Sequence, residues 1–153
     1  MKINVVVVMN FAKVTNKILE VCIQDSLVNY TGYGNIYSLN AETIKDYPAI
    51  WVYCPSGITN TENLATASYF LVYIDRVTNR ADDNNIEDLL IHSNGHRILS
   101  NIIAKIGKLD DIFVDNDSVS FTIFDGIEGR SDNCNGLYAQ LDVSWPIENC
   151  VVD

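Results

Sequence analysis

The run Ala67-Ser68-Tyr69-Phe70-Leu71-Val72-Tyr73-Ile74-Asp75-Arg76-Val77 restricts the fold more than any other part of this sequence. It is dense in β-branched and aromatic residues and free of Gly and Pro, so it reads as a long strand and commits the chain to a sheet. A second strand is expected at Ala49-Ile50-Trp51-Val52-Tyr53-Cys54, where Pro55-Ser56-Gly57 ends it. The polar stretch Thr59 to Thr66 between these runs reads as a loop, which makes them a hairpin with a long connection. Val119-Ser120-Phe121-Thr122-Ile123-Phe124 alternates as a further strand. Leu137 to Trp145 is the last one, and Pro146 stops it. A shorter candidate, Ile36-Tyr37-Ser38-Leu39, follows the glycine-rich turn Thr31-Gly32-Tyr33-Gly34-Asn35. Tyr47-Pro48 breaks the chain before the second strand, because a residue preceding proline avoids the helix region.

Two segments carry the helical period instead. Phe11, Val14, Ile18, Val21 and Cys22 recur at three and four, with Lys13, Lys17, Glu20 and Gln24 between them. A helix is expected through most of 4–24, and its weak part is the β-branched start Val5-Val6-Val7-Val8. In the second segment Ser93 reads as the N-cap, Ile98, Leu99, Ile102, Ile103 and Ile106 as the buried stripe, and Gly107 as the terminating glycine. The polar residues Thr78 to Asn85 and Gly126 to Asn133 read as loops. The expectation is one α+β domain over residues 1–153, two-layered, with two helices packed on a mostly antiparallel sheet.

The 153 residues are 48% hydrophobic, enough for a core without metal or disulfide staples. The formal charge is −10 and uneven. Residues 1–75 hold four Lys/Arg against six Asp/Glu, while residues 76–153 hold six against fourteen. Such a surface repels phosphate, which argues against direct grip on nucleic acid, although an acidic wall lets DNA slide past. The simpler role of the charge is to keep the protein soluble. The apolar run Val5 to Met9 is too short for a membrane span and lacks a following cleavage site. Cys22, Cys54, Cys134 and Cys150 are scattered without a CxxC pair and read as reduced core thiols. Spacing alone permits a Cys134–Cys150 disulfide.

No residue earns a catalytic, metal or cofactor assignment. His92 and His96 stand four apart, but a capping Ser93 would leave His92 outside the helix, and no third ligand accompanies them. Asp110, Asp111, Asp115 and Asp117 suggest calcium at first, yet Val119, Ser120 and Phe121 occupy positions where an EF-hand needs oxygens and a glycine. A solvated acidic loop explains them. Gly32-Tyr33-Gly34 lacks the remainder of a phosphate-binding loop, and no GxSxG motif occurs. The one interaction element expected is the polar arm after Val77, with Asn79, Arg80, Asp82, Asp83, Asn84 and Asn85 as candidate subunit-interface residues.

Several stretches together resemble the small neck and tail-completion proteins of tailed bacteriophages, especially those of Bacteroides and crAss-like phages. They are Tyr33-Gly34-Asn35-Ile36, Tyr47-Pro48-Ala49-Ile50-Trp51-Val52 and Tyr69 through Arg76. Asn84-Asn85 running into the isoleucine-striped helix is another. The segment Asp132 through Ala139 to Trp145-Pro146-Ile147-Glu148-Asn149-Cys150 is the most characteristic. The resemblance implies a ring-forming head–tail connector with a tail-terminator-like fold and no catalytic residues. Its implied partners are further copies of itself and neighbouring portal, neck or tail proteins. Its implied place is the virion neck or tail, with assembly in the host cytoplasm and DNA passing an acidic lumen. Two other classes compete with it. One is an acidic inhibitor or DNA mimic that binds a basic host protein. The other is a small enzyme, which would require a deep pocket holding a carboxylate of shifted pKa.

Overall fold

The computed structural model describes residues 9–35, 44, 46–77, 86–124 and 134–147. In chain order its elements are α1 (Phe11–Gln24), β1 (Tyr30–Tyr33), β2 (Ala49–Tyr53), β3 (Ile58–Thr61), β4 (Leu64–Arg76), α2 (Ile86–Ile106), β5 (Phe113–Phe124) and β6 (Cys134–Pro146). The strands form one sheet of order β1-β2-β4-β6-β5, with β3 beside the first residues of β4. Only β1 and β2 run parallel; the other pairings are antiparallel. The described residues therefore make an α+β fold with two helices and an open, mostly antiparallel sheet, as the patterns predict.

β4 is the spine. It pairs along its whole length with β6, from Leu64 opposite Pro146 to Arg76 opposite Cys134. Its alternation sends Ala65, Ala67, Tyr69, Leu71 and Tyr73 to the face that both helices cover. The same face takes Leu137, Ala139, Leu141, Val143 and Trp145 from β6. α1 starts where Asn10 caps it: the Asn10 carboxamide oxygen accepts the Lys13 amide at 2.9 Å. Such a cap contributes about 1 kcal/mol. The helix lays Val14, Ile18, Val21 and Cys22 on the sheet and stops at Asp25, whose carboxylate accepts the Leu27 amide. A buried hydrogen bond of 2.7 Å between the Thr15 and Tyr69 hydroxyls fixes α1 on β4.

α2 buries Ile91, Gly95, Ile98, Leu99, Ile102, Ile103 and Ile106, a stripe at three and four. Each aliphatic residue buried this way contributes roughly 1.5–3 kcal/mol over leaving it exposed. Gly95 is a packing residue. A Cβ there would overlap the Leu137 and Tyr73 side chains, so only glycine lets the helix lie this close to the sheet.

The sheet's other face divides along the strands. At the end where β4 exits, Ile44, Ala49, Trp51, Val72, Ile74 and Cys134 form a second buried cluster. Tyr53, Phe70, Tyr138 and Phe124 extend it as a row of rings with centroids 5.8, 5.4 and 6.5 Å apart. At the end where β4 enters, the face turns polar. Thr66 and Ser144 share a hydrogen bond of 2.8 Å, and the Ser68 hydroxyl donates to Asp142.

Several sequence expectations need correction. The first helix does not include Met9 and Asn10, because Asn10 leaves the helix to cap it; residues 4–8 lie outside the described residues. Tyr30 to Tyr33 is a strand and not part of a turn, since Gly32 makes room for the Trp51 ring from β2. The stretch Thr59 to Thr66 is a tight hairpin, β3 turning through Glu62-Asn63 into β4. Ser93 does not cap α2, which begins seven residues earlier, with Glu87 and Asp88 in its first turn where the helix dipole favours acids. Asp115 and Asp117 sit within β5, at an irregularity between Asp115 and Ser120, and not in a loop before it. Gly107 does follow the last helical residue, but only Gly34 and Gly57 among the described glycines have positive φ. The strand expected at Ile36 to Leu39 and the loop at Gly126 to Asn133 lie outside the described residues.

Candidate functional site

The six interface residues expected from sequence, Asn79, Arg80, Asp82, Asp83, Asn84 and Asn85, also lie outside the described residues. The remaining candidates are placed. His92 and His96 both belong to α2, one turn apart, contrary to the capping argument. His96 meets the Phe121 ring edge-on with centroids 4.6 Å apart, and the His92 Nε2 is buried without a hydrogen-bond partner among the described residues. No three His, Cys, Asp or Glu residues among those described gather as a metal site. Asp115 organises its own strand: its carboxylate accepts the Asp117 amide at 3.1 Å and its carbonyl accepts the Ser118 hydroxyl at 2.6 Å. Cys22 is buried and its thiol is pushed up to about 12, chiefly by burial, which leaves it inert. Cys134 is buried with its thiol against the Tyr47 hydroxyl, while Cys150 lies outside the described residues.

One polar cleft, of about 300 Å³, opens between the end of α1, α2 and the sheet. Asp75, Tyr73, Arg97, Asn94 and Asn29 line it. Burial raises the Asp75 carboxyl above its ordinary 3.8, and the charge of Glu87 adds to the rise. Hydrogen bonds from the Arg76 amide and the Tyr73 hydroxyl oppose it. Tyr73 is raised as well, first by burial and then by Asp75. This is a carboxylate of shifted pKa in a cleft, the feature the small-enzyme reading asks for. Tyr73 donates to Asp75 there, Ser26 and Arg97 also line the cleft, and its described lining holds no histidine, lysine or cysteine.

Among the described residues the sheet ends in two edge strands, β1 and β5. β1 pairs only with β2, and β5 only with β6, so each presents an outer edge that no described strand covers. Such edges are ready templates for another strand. They differ in length and flanking chemistry. β1 has four residues and stands beside α1, with the Tyr33 ring 6.4 Å from that of Phe11. β5 has twelve residues and carries Phe113 and Ile123, 56% and 61% exposed. Sequence reading missed both edges. The usable signal at β5 was Asp115 and Asp117 interrupting an alternating apolar pattern, a common protection of edge strands.

The acidic character has a location too. On the face away from the helices, the polar end of the sheet carries Asp142 and, directly opposite on β5, Asp115. Thr66, Ser68, Gln140 and Ser144 surround them, and no described strand places a basic side chain there. No helix among the described residues is long and apolar enough to cross a membrane. No known protein family matches the chain, and no curated protein matches it in sequence.

Proposed function

We propose that this chain is a structural subunit that closes into a ring, of the kind that forms the head–tail neck of a tailed bacteriophage. The observation that carries the reading is the pair of unlike sheet edges that no described strand covers. Two edges of different length and chemistry favour head-to-tail contact, and head-to-tail contact with a closing rotation makes a ring. The carboxylate-and-hydroxyl patch around Asp115 and Asp142 supports a lumen that DNA passes without sticking, since no described strand offers phosphate a cation there. In this reading the protein is not an enzyme, its tail-terminator-like character belongs to the ring, and its partners are its own copies and adjoining portal, neck or tail proteins. The segment with Asn79, Arg80, Asp82, Asp83, Asn84 and Asn85 serves as a contact arm, on sequence grounds alone.

Light scattering behind size-exclusion chromatography tests the proposal. Discrete species of one fixed multiple of the 17.1 kDa chain support it. A monomer at every concentration, joined in a stable complex with an added basic protein, would favour the acidic inhibitor instead.

A further inference from the structure

We propose that the cleft between the end of α1, α2 and β4 binds a compact zwitterion of the amino-acid class, its ammonium group on Asp75 and its carboxylate on Arg97. Ring closure is not needed for it. Asp75 stands on β4 and Arg97 on α2, and both line a cavity of about 300 Å³. Opposite charges share this cleft without meeting: among the described residues Arg97 makes no ion pair or hydrogen bond. The Asp75 carboxylate instead accepts the Arg76 amide at 2.8 Å and the Tyr73 hydroxyl at 3.4 Å. Burial disfavours its charge, and Glu87 adds to that. The fold thus keeps a costly carboxylate in one cleft with a cation that does not neutralise it, as binding sites do.

The walls of the cleft are built from well-fixed elements. Gly95 lets α2 press on the Tyr73 and Leu137 side chains, which sets the backbone of Asn94 and Arg97 at a fixed distance from Asp75. On the third side the Asn29 backbone amide donates to the Pro48 carbonyl at 2.9 Å, and its side-chain amide donates to the Tyr47 carbonyl at 2.7 Å. That leaves the Asn29 carboxamide oxygen uncommitted among the described residues, a second acceptor for an ammonium group. Leu27, Pro48 and Ile98 supply apolar surface for a short carbon frame. The volume stands at the small end of the range for ligand pockets, roughly 300–1,000 Å³. The charges then choose the occupant. A lone anion on Arg97 is repelled by Asp75 and Glu87, and a phosphate group more so. A lone cation on Asp75 leaves Arg97 without a counter-charge. A zwitterion answers both, and a guanidinium can hold its carboxylate by two parallel hydrogen bonds.

Amide chemical shifts of the full chain, titrated with the common α-amino acids, γ-aminobutyrate and ε-aminocaproate, test the proposal. Butylamine and butyrate serve as single-charge controls. At least one zwitterion should shift residues 26–29, 73–75 and 94–98 together at millimolar concentration, and neither control should match it. Asp75→Asn and Arg97→Gln should each weaken that zwitterion at least about tenfold, the loss of one charge-assisted hydrogen bond. Arg97→Gln should bind the methyl ester of the same compound as well as the wild-type chain does, because the lost guanidinium has no carboxylate left to hold. Asp75→Asn should melt no lower than wild type in neutral buffer, so its lost binding is not lost folding. Butylamine binding as tightly as the best zwitterion would overturn the proposal in favour of a plain cation site. Shifts confined to other surfaces, no shift with any compound, or full affinity in both variants would overturn it outright. The oligomer seen by light scattering decides the ring reading separately.

Discussion

The two ends of the sheet are built by different means. The β1 end is held from above and below: Phe11 packs on Tyr33 from the helix side, and Trp51 lies over Gly32 while its indole donates to the Gly34 carbonyl at 3.3 Å. The β5 end is held mainly by its ladder with β6, with Phe121 and Val119 half-buried under α2. A short strand fixed by large rings and a long strand fixed by backbone pairing fail in different ways. The first is sensitive to side-chain loss, the second to changes along its own edge.

That contrast orders the expected effects. Trp51 is 3% exposed and bridges β2 to β1, so Trp51→Ala should cost about 3–5 kcal/mol in urea unfolding. Amide exchange at residues 30–33 should speed up in the variant more than at residues 119–124. If the loss is evenly spread, the β1 end is not a separately anchored unit. Phe121→Ala removes a half-buried ring and its contact with His96, and should cost roughly 1–2 kcal/mol, less than a fully buried ring. Its exchange effect should be confined to β5 and α2.

The smallest effect belongs to Asp75, between the two edges and at neither. Its carboxyl is raised in the folded state, so the folded chain binds that proton more readily than the unfolded chain. Its contribution is therefore favourable in acid and declines as pH rises from the ordinary 3.8 through the raised value. Asp75→Asn should stabilise the protein at pH 7, by less than about 1 kcal/mol because solvent screens a partly exposed group. The gap should close in acid. Thermal melts across that range check the sign, and a variant less stable than wild type at pH 7 contradicts it.

The parts legible in the sequence are those where local pattern and tertiary burial agree. β4 and β6 alternate because one face meets the helices, and the isoleucine stripe of α2 keeps its period to Ile106. The misread parts answer to partners distant in sequence. Gly32 looks like a turn residue because nothing nearby shows that Trp51 needs its space. Ser93-Asn94-Gly95 looks like a helix start, yet Gly95 is there for Leu137 and Tyr73. β3 has four exposed residues, and its pairing with the start of β4 makes it a strand. The Asn10 cap was readable, since a carboxamide directly before an apolar helical run is a start signal that the valines upstream obscured. Neither edge was legible as a site, because being an edge is a property of strand order and not of residue type.

Hydrogen exchange of the wild-type chain at low and high concentration tests head-to-tail edge pairing most directly. Protection that rises with concentration at both residues 30–33 and residues 120–124, and not on the interior strand β4, is the predicted result. A rise at the β5 edge alone, or at neither edge, would contradict it.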